Sequence, residues 1–228
     1  MTIPFHYDPE IIEKFPKIVG GAMLGSAFNN GPTSDNLRQA YLEEQRRVMA
    51  KIGATPLSEI ESLAGWRAAF RLFGVDPTQY RNAAAALLRR LTKKGDIPSF
   101  NAVVDICNLV SIRYALPVAA FDLAAVSGGI TVRFAAGNER FTNLSDAGVE
   151  QPAAGEVIFV DEAGLVVARR WCWRQSEESA ASEGTRQALF TIEAQHAGGR
   201  DAVSQALADL QTLLSAYVGG IYQSAILP

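Results

Sequence analysis

The chain has only two histidines and two cysteines in 228 residues, and this scarcity removes whole classes of function. His6 and His196 lie far apart, and neither has a second histidine or a cysteine at ligand spacing, so neither metal nor cofactor is expected. Cys107 and Cys172 fall inside expected secondary structure and not in a spaced framework, which excludes a disulfide scaffold and fits a reducing compartment. No G-x-S-x-G elbow, Walker loop or G-x-G-x-x-G fingerprint is present; Gly128-Gly129 and Gly219-Gly220 lack the flanking context those motifs need. No uncharged apolar stretch reaches the roughly 18 residues of a membrane span, and the first ten residues lack the basic and apolar regions of a signal peptide. A cytoplasmic protein without membrane partners is expected.

What is present is an ordinary globular composition, 48% hydrophobic, long enough for one large domain or a domain with an extension. The net charge of −3 argues against a protein that holds nucleic acid by bulk attraction. The distribution is uneven, however. Between Ala64 and Lys94, Arg67, Arg71, Arg81, Arg89, Arg90, Lys93 and Lys94 face the single acid Asp76. Two readings stand: a surface that contacts phosphates, through Arg81, Arg89 and Lys93 above all, or a solvated helix face whose terminal cations complement the helix dipole.

Periodicity predicts a small-residue strand over 17–28, then helices over about 34–51, 58–73, 77–95 and 100–114, the third opened by Pro77. After that the period falls from 3.6 to 2. Strands are expected at 130–135, 139–142, 155–160, 165–173 and 188–194, with Asp161–Gly164 as the turn of a hairpin, then a helix over 200–217. Helices first and strands later, without regular alternation, indicate an α+β fold on a largely antiparallel or mixed sheet packed with helices. The polar run from Ser176 to Arg186 is either a lid or a surface connection.

Two stretches concentrate polar groups where a core is expected. In S-F-N-A-V-V-D-I-C-N-L-V, Asn101, Asp105 and Asn108 recur at spacings of four and three on an apolar helix, so the face is either a buried polar network or the wall of a ligand site. In A-R-R-W-C-W-R-Q-S, a strand reading puts Arg169, Trp171 and Trp173 on one face and Arg170, Cys172 and Arg174 on the other, with Gln175 and Ser176 at its end. Guanidinium groups interleaved with indoles suit stacking on a base or holding an anion, and equally suit ordinary sheet packing.

The first of these stretches resembles the B3/B4 domain of the β subunit of bacterial phenylalanyl-tRNA synthetase, whose pattern is roughly N-x-V-V-D-x-x-N-x-V followed by P-x-H-A-F-D. Asn101, Val103, Val104, Asp105, Asn108, Val110, Pro117, Ala120, Phe121 and Asp122 match it. The resemblance runs from about Arg67 to about His196, and in L-F-T-I-E it aligns Glu193 with a glutamate of the family's editing pocket. It implies a B3/B4-like domain over 67–218, a strand and helical portion over 1–66, and a loosely held tail over 219–228. It further implies a partner, tRNA or aminoacyl-tRNA, and hydrolysis of a wrongly attached amino acid. Glu193 and Asn108 would then orient the substrate ammonium and water, with Arg169, Arg170, Trp171, Trp173 and Ser176 shaping the pocket. The helix carrying Asn108 is expected on a sheet that holds both 165–173 and 188–194.

Two departures qualify the resemblance. Ala119 stands where the family has a histidine that takes part in hydrolysis, and R-R-W-C-W replaces a glycine-rich segment. Alanine exchanges no proton, and two indoles narrow the pocket, so a smaller or more polar acyl group, or binding without hydrolysis, is expected. The chain carries no class II synthetase core. A module that binds RNA or a free amino acid without chemistry is the alternative, and a hydrolase using Ser176 with Glu193 is a third reading.

Overall fold

The structure, a computed structural model, describes residues 3–144 and 148–228. It is an α+β fold in three layers. The central layer is an antiparallel sheet of β2 (Val19–Ser26), β3 (Val118–Asp122), β10 (Gln187–Ala194) and β11 (Ile221–Ile226), ordered β11-β2-β10-β3. The second layer is a mixed sheet in the order β1-β4-β7-β8-β9, from β1 (Phe5–Tyr7), β4 (Ile130–Phe134), β7 (Val157–Asp161), β8 (Val166–Arg169) and β9 (Arg174–Gln175). Within this sheet β1 pairs with β4 in parallel, and β4-β7, β7-β8 and β8-β9 are antiparallel. A small ladder of β5 (Phe141–Thr142) and β6 (Val149–Glu150) lies beside it.

Helices α2 (Asp35–Ile52), α4 (Ala83–Lys94), α5 (Ala102–Tyr114) and α6 (Gly199–Tyr217) form the third layer, against the free face of the central sheet. The period-2 alternation of β10 decides this arrangement. Ala188, Phe190, Ile192 and Ala194 join the helical core with Ile106, Val110 and Leu210, while Leu189 joins the core between the sheets with Phe121, Val132, Phe159 and Val167. Helices α1 (Pro9–Lys14) and α3 (Glu61–Leu72) close this second core with Ile11, Trp66 and Phe70.

The Asn-bearing stretch turns out to be architectural. Asn101 is the N-cap of α5: its Oδ1 accepts from the Val104 N–H at 3.0 Å, and its Nδ2 donates to the Ala181 carbonyl. Asn30 completes the join, donating to Asn101 Oδ1 and the Ser182 carbonyl and accepting from the Val103 N–H. Asp105, fully buried, accepts from the Thr33 and Ser99 hydroxyls and the Phe100 N–H. The 176–186 run is therefore a pinned connection and not a lid, and Thr185 is tied to Asp122 besides.

Several expected boundaries shift for local reasons. The helix expected from Pro77 begins at Ala83, because Asp76 accepts from the Thr78 N–H and hydroxyl in a separate turn and Asn82 supplies the cap. The strand expected over 165–173 ends at Arg169, where Arg170 and Trp171 take φ of 43° and 59°. It belongs to the second sheet, so α5 packs on the sheet of 188–194 but not on that of 165–173. The tail expected to be loose over 219–228 carries β11, paired to β2 over its whole length.

Asp105→Ala should lower stability by about 3 kcal/mol, because it strands three buried or half-buried donors together. Asn108→Ala should cost under about 1 kcal/mol, as expected away from such a network. Urea denaturation of the two variants checks the contrast.

Candidate functional site

Glu193 points from β10 into the space between the sheets, opposite to Ile192 and its helical core. It is 2% exposed, and its Oε1 accepts from the Tyr7 hydroxyl at 2.7 Å and the Trp171 indole Nε1 at 2.9 Å. Oε2 accepts no hydrogen bond among the described residues. Burial pushes the carboxyl up to about 7, against the pull of the two donors. Burial, and then the Glu193 charge, likewise hold the Tyr7 hydroxyl well above its usual range.

Local sequence makes this arrangement. Gly20 is the register partner of Glu193 on β2, and a Cβ there would lie 2.8 and 2.9 Å from two ring carbons of Tyr7, so only glycine leaves room for that ring. The left-handed pair Arg170-Trp171 turns the chain so that Trp171 leaves the strand and inserts among Phe15, Trp66 and Phe73. Trp171 is fully buried and presents its indole N–H to Glu193.

Glu193 opens onto a cavity of about 80 Å³, walled by Ala119, Phe121, Phe159, Trp171 and Trp173, with Thr191 and Gln175 as further polar lining. Ala119 faces it from β3, where it pairs with Thr191. At about 30 Å³ per water this is room for two or three, far below the roughly 300–1,000 Å³ of ordinary ligand pockets. Trp173 stands at the side of the cavity, edge-on to Tyr80 at 5.0 Å, and the Arg170 guanidinium covers both rings at 4.0 and 4.6 Å.

Of the residues singled out in the sequence, Glu193, Trp171 and Trp173 meet here. Asn108 does not. It lies on α5 beside Tyr41 in the helical layer, so the central sheet separates it from Glu193. Arg169 faces away: Glu156 accepts from its Nε and Nη2 at 2.9 and 3.0 Å, Glu150 pairs with its Nη1, and it covers the Phe141 ring. Arg170 forms the stack described above and is not among the residues that line the Glu193 cavity. Ser176 is fully buried, with its Oγ accepting from the Glu178 N–H, so it is neither a pocket residue nor a partner of Glu193. Tyr7 escaped sequence reasoning. The only signal was the alternation F-H-Y, far from the motif region.

A model of the B3/4 domain matches residues 65–217. The chain belongs to the B3/4 domain family. Phenylalanine–tRNA ligase β subunits are similar to it: 40% identical over 86 residues in Chromobacterium violaceum, 37% over 101 in Nocardia farcinica and 36% over 96 in Aquifex aeolicus. These alignments cover 36%, 43% and 42% of this chain and 11% of each relative, so the chain spans about a tenth of their length. An N-terminal fragment of the phenylalanyl-tRNA synthetase β subunit from Pyrococcus horikoshii has a similar fold, with a TM-score of 0.51 and 11% identity over 100% of this chain and 55% of that one.

The B3/4 domain carries a second concavity outside the two sheets. A cleft of about 520 Å³ lies between the end of α2, α3 and α4, and Arg67, Arg81, Arg89 and Lys93 line it without one acidic neighbour in the wall. The Asp76–Ala83 segment separates the openings: Asn82 lines the cleft, while Ala83 lines the cavity and donates its N–H to the Cys172 carbonyl at 2.8 Å. Among the described residues, no three His, Cys, Asp or Glu side chains gather as a metal site, and no helix is long and apolar enough to cross a membrane.

The raised carboxyl makes a prediction with a definite sign. Glu193 binds its proton more tightly folded, at about 7, than at its usual 4.5, so its contribution to stability is full below about 4.5 and is lost as pH climbs to 7. Glu193→Gln keeps an acceptor for both donors and removes the charge. It should match the wild type at pH 4.5 and exceed it by about 1–3 kcal/mol at pH 8, read from denaturation across that range.

Proposed function

We propose that this B3/4 protein acts on aminoacyl-tRNA in trans and hydrolyses the ester of a small acyl group. The single observation that carries the reading is the cavity at Glu193, a carboxylate with one oxygen held by two donors and the other unengaged, inside a domain of this family. Near neutral pH the carboxyl lies close to its midpoint, so an entering ammonium draws it into the ionised form and pairs with Oε2. In the hydrolysis, water oxygen bonds to the acyl carbon, the bond from that carbon to the ribose oxygen breaks, and the proton ends on the ribose hydroxyl. With Ala119 in the wall no histidine base stands there, and with Glu193 engaged by the ammonium the neighbouring hydroxyl of the terminal ribose relays the proton.

Size sets the acyl group. A benzyl or phenol side chain is far bulkier than three waters, whereas a methyl or hydroxymethyl fits beside the ammonium. Arg81, Arg89 and Lys93 supply phosphate contacts for the tRNA partner. The free thiols of Cys107 and Cys172 agree with a cytoplasmic location.

A panel of mischarged tRNAs tests the proposal. Alanyl or seryl esters should be cleaved and tyrosyl and phenylalanyl esters left intact. Glu193→Ala should abolish cleavage with the fold retained by circular dichroism. Ala119→His should gain activity toward aromatic esters only together with Trp171→Ala or Trp173→Ala, because a new base is useless while indoles fill the space. Full activity in Glu193→Ala refutes the site, and no cleavage of any ester leaves the non-catalytic binding module in its place.

A further inference from the structure

The cleft between α3 and α4 is built differently from the rest of the charged surface. Three partly or wholly buried arginines elsewhere meet carboxylates: Arg113 meets Glu44 and Asp209 at 2.6 and 2.8 Å, Arg133 meets Glu139 at 2.6 Å, and Arg169 meets Glu156 at 2.9 Å. Arg81 is also partly buried, yet it has no ion pair or hydrogen bond among the described residues, and neither do Arg89 and Lys93 across the same cleft. Asp76, beside the cleft, is engaged by the Thr78 N–H and hydroxyl, which together with Arg67 and Arg71 hold its carboxyl below the usual range. A partly desolvated guanidinium without a counterion is an unmet demand for an anion. The fully buried Trp66 lies behind the cleft wall, and its indole Nε1 has no acceptor among the described residues, so its resonance reports on that wall.

We propose that this cleft is a nucleotide site, in which Arg81, Arg89 and Lys93 hold the phosphate and the base and ribose lie against the partly exposed Leu57, Tyr80 and Ala85. The cleft volume of about 520 Å³ falls in the roughly 300–1,000 Å³ range of ligand sites and far exceeds what a lone phosphate fills. The phosphate is that of a free mononucleotide or of a single-stranded nucleic acid end, because both present the same group to the same cations. The site deepens the phosphate contacts proposed above for Arg81, Arg89 and Lys93 and rests on that part of the reading, but it is distinct from the Glu193 cavity and stands whether or not that cavity hydrolyses anything.

Titration of the ¹⁵N-labelled full chain with adenosine 5′-monophosphate, with inorganic phosphate and with a short single-stranded oligonucleotide tests the site. The mononucleotide or the oligonucleotide should shift the Trp66 indole resonance, and whichever binds identifies the source of the phosphate; inorganic phosphate should bind at least tenfold more weakly. Arg81→Gln combined with Arg89→Gln should weaken binding about tenfold or more, and the exposed Lys93→Gln, which leaves the core untouched, should lower the salt slope for the oligonucleotide by about 1. Glu193→Gln should leave nucleotide affinity unchanged while stopping any ester cleavage, so the two readings fail separately. An unmoved Trp66 resonance, binding indifferent to all three cations, or phosphate binding as tightly as the nucleotide would overturn the proposal.

Discussion

A carboxylate buried between two sheets without a cation is the constraint around which the rest of this structure is arranged. Glu193 has two hydrogen-bond donors, and each imposes a demand on a distant part of the chain. Tyr7 reaches it only because β1 joins the edge of the second sheet and because position 20 is glycine. Trp171 reaches it only because two consecutive non-glycine residues adopt left-handed backbone, a conformation that costs of order 1–3 kcal/mol per residue and persists where packing compels it. The compelling contacts are aromatic: Phe15, Trp66 and Phe73 surround the indole. The same indole makes the cavity small.

Chemistry and architecture are thereby divided between the faces of the central sheet. On the helical face the polar groups of the family signature are spent on structure. Asn101 caps α5 and joins it to the 176–186 connection, Asp105 gathers the preceding loop, and Asp122 ties down Thr185. On the other face lies Glu193, engaged by two donors and paired with no cation among the described residues. The Asp76–Ala83 segment, bounded by Asn82 toward the basic cleft and Ala83 toward the cavity, is the wall the two concavities share.

The layers were legible where one period dominates. The alternation of β10 and the apolar stripe of α4 read directly from the sequence, as did α2, α5 and α6 within a few residues of their ends. The break in the strand read over 165–173 was not legible, because Arg170 and Trp171 are ordinary strand residues by composition and nothing local announces the left-handed turn; tertiary packing of the indole overrides the local preference. Asn108 was misplaced for a related reason. Spacing along a helix says which residues share a face and not which layer that face meets. The strands β1 and β11 pair with partners far away in sequence, so their pairing is a property of the assembled fold. Glu193 itself was found through resemblance and Trp171 was named as a pocket residue, but Tyr7 emerged only through geometry.

The claim at the centre of this account is that Glu193 receives the ammonium of a small acyl group. Co-crystallisation with a non-hydrolysable 3′-amide of alanyl-adenosine measures this directly. The account predicts the ammonium against Glu193 Oε2, the methyl group between Ala119 and Trp171, and Tyr7 and Trp171 still donating to Oε1. An analogue seated elsewhere, with the Glu193 cavity unchanged, would contradict it.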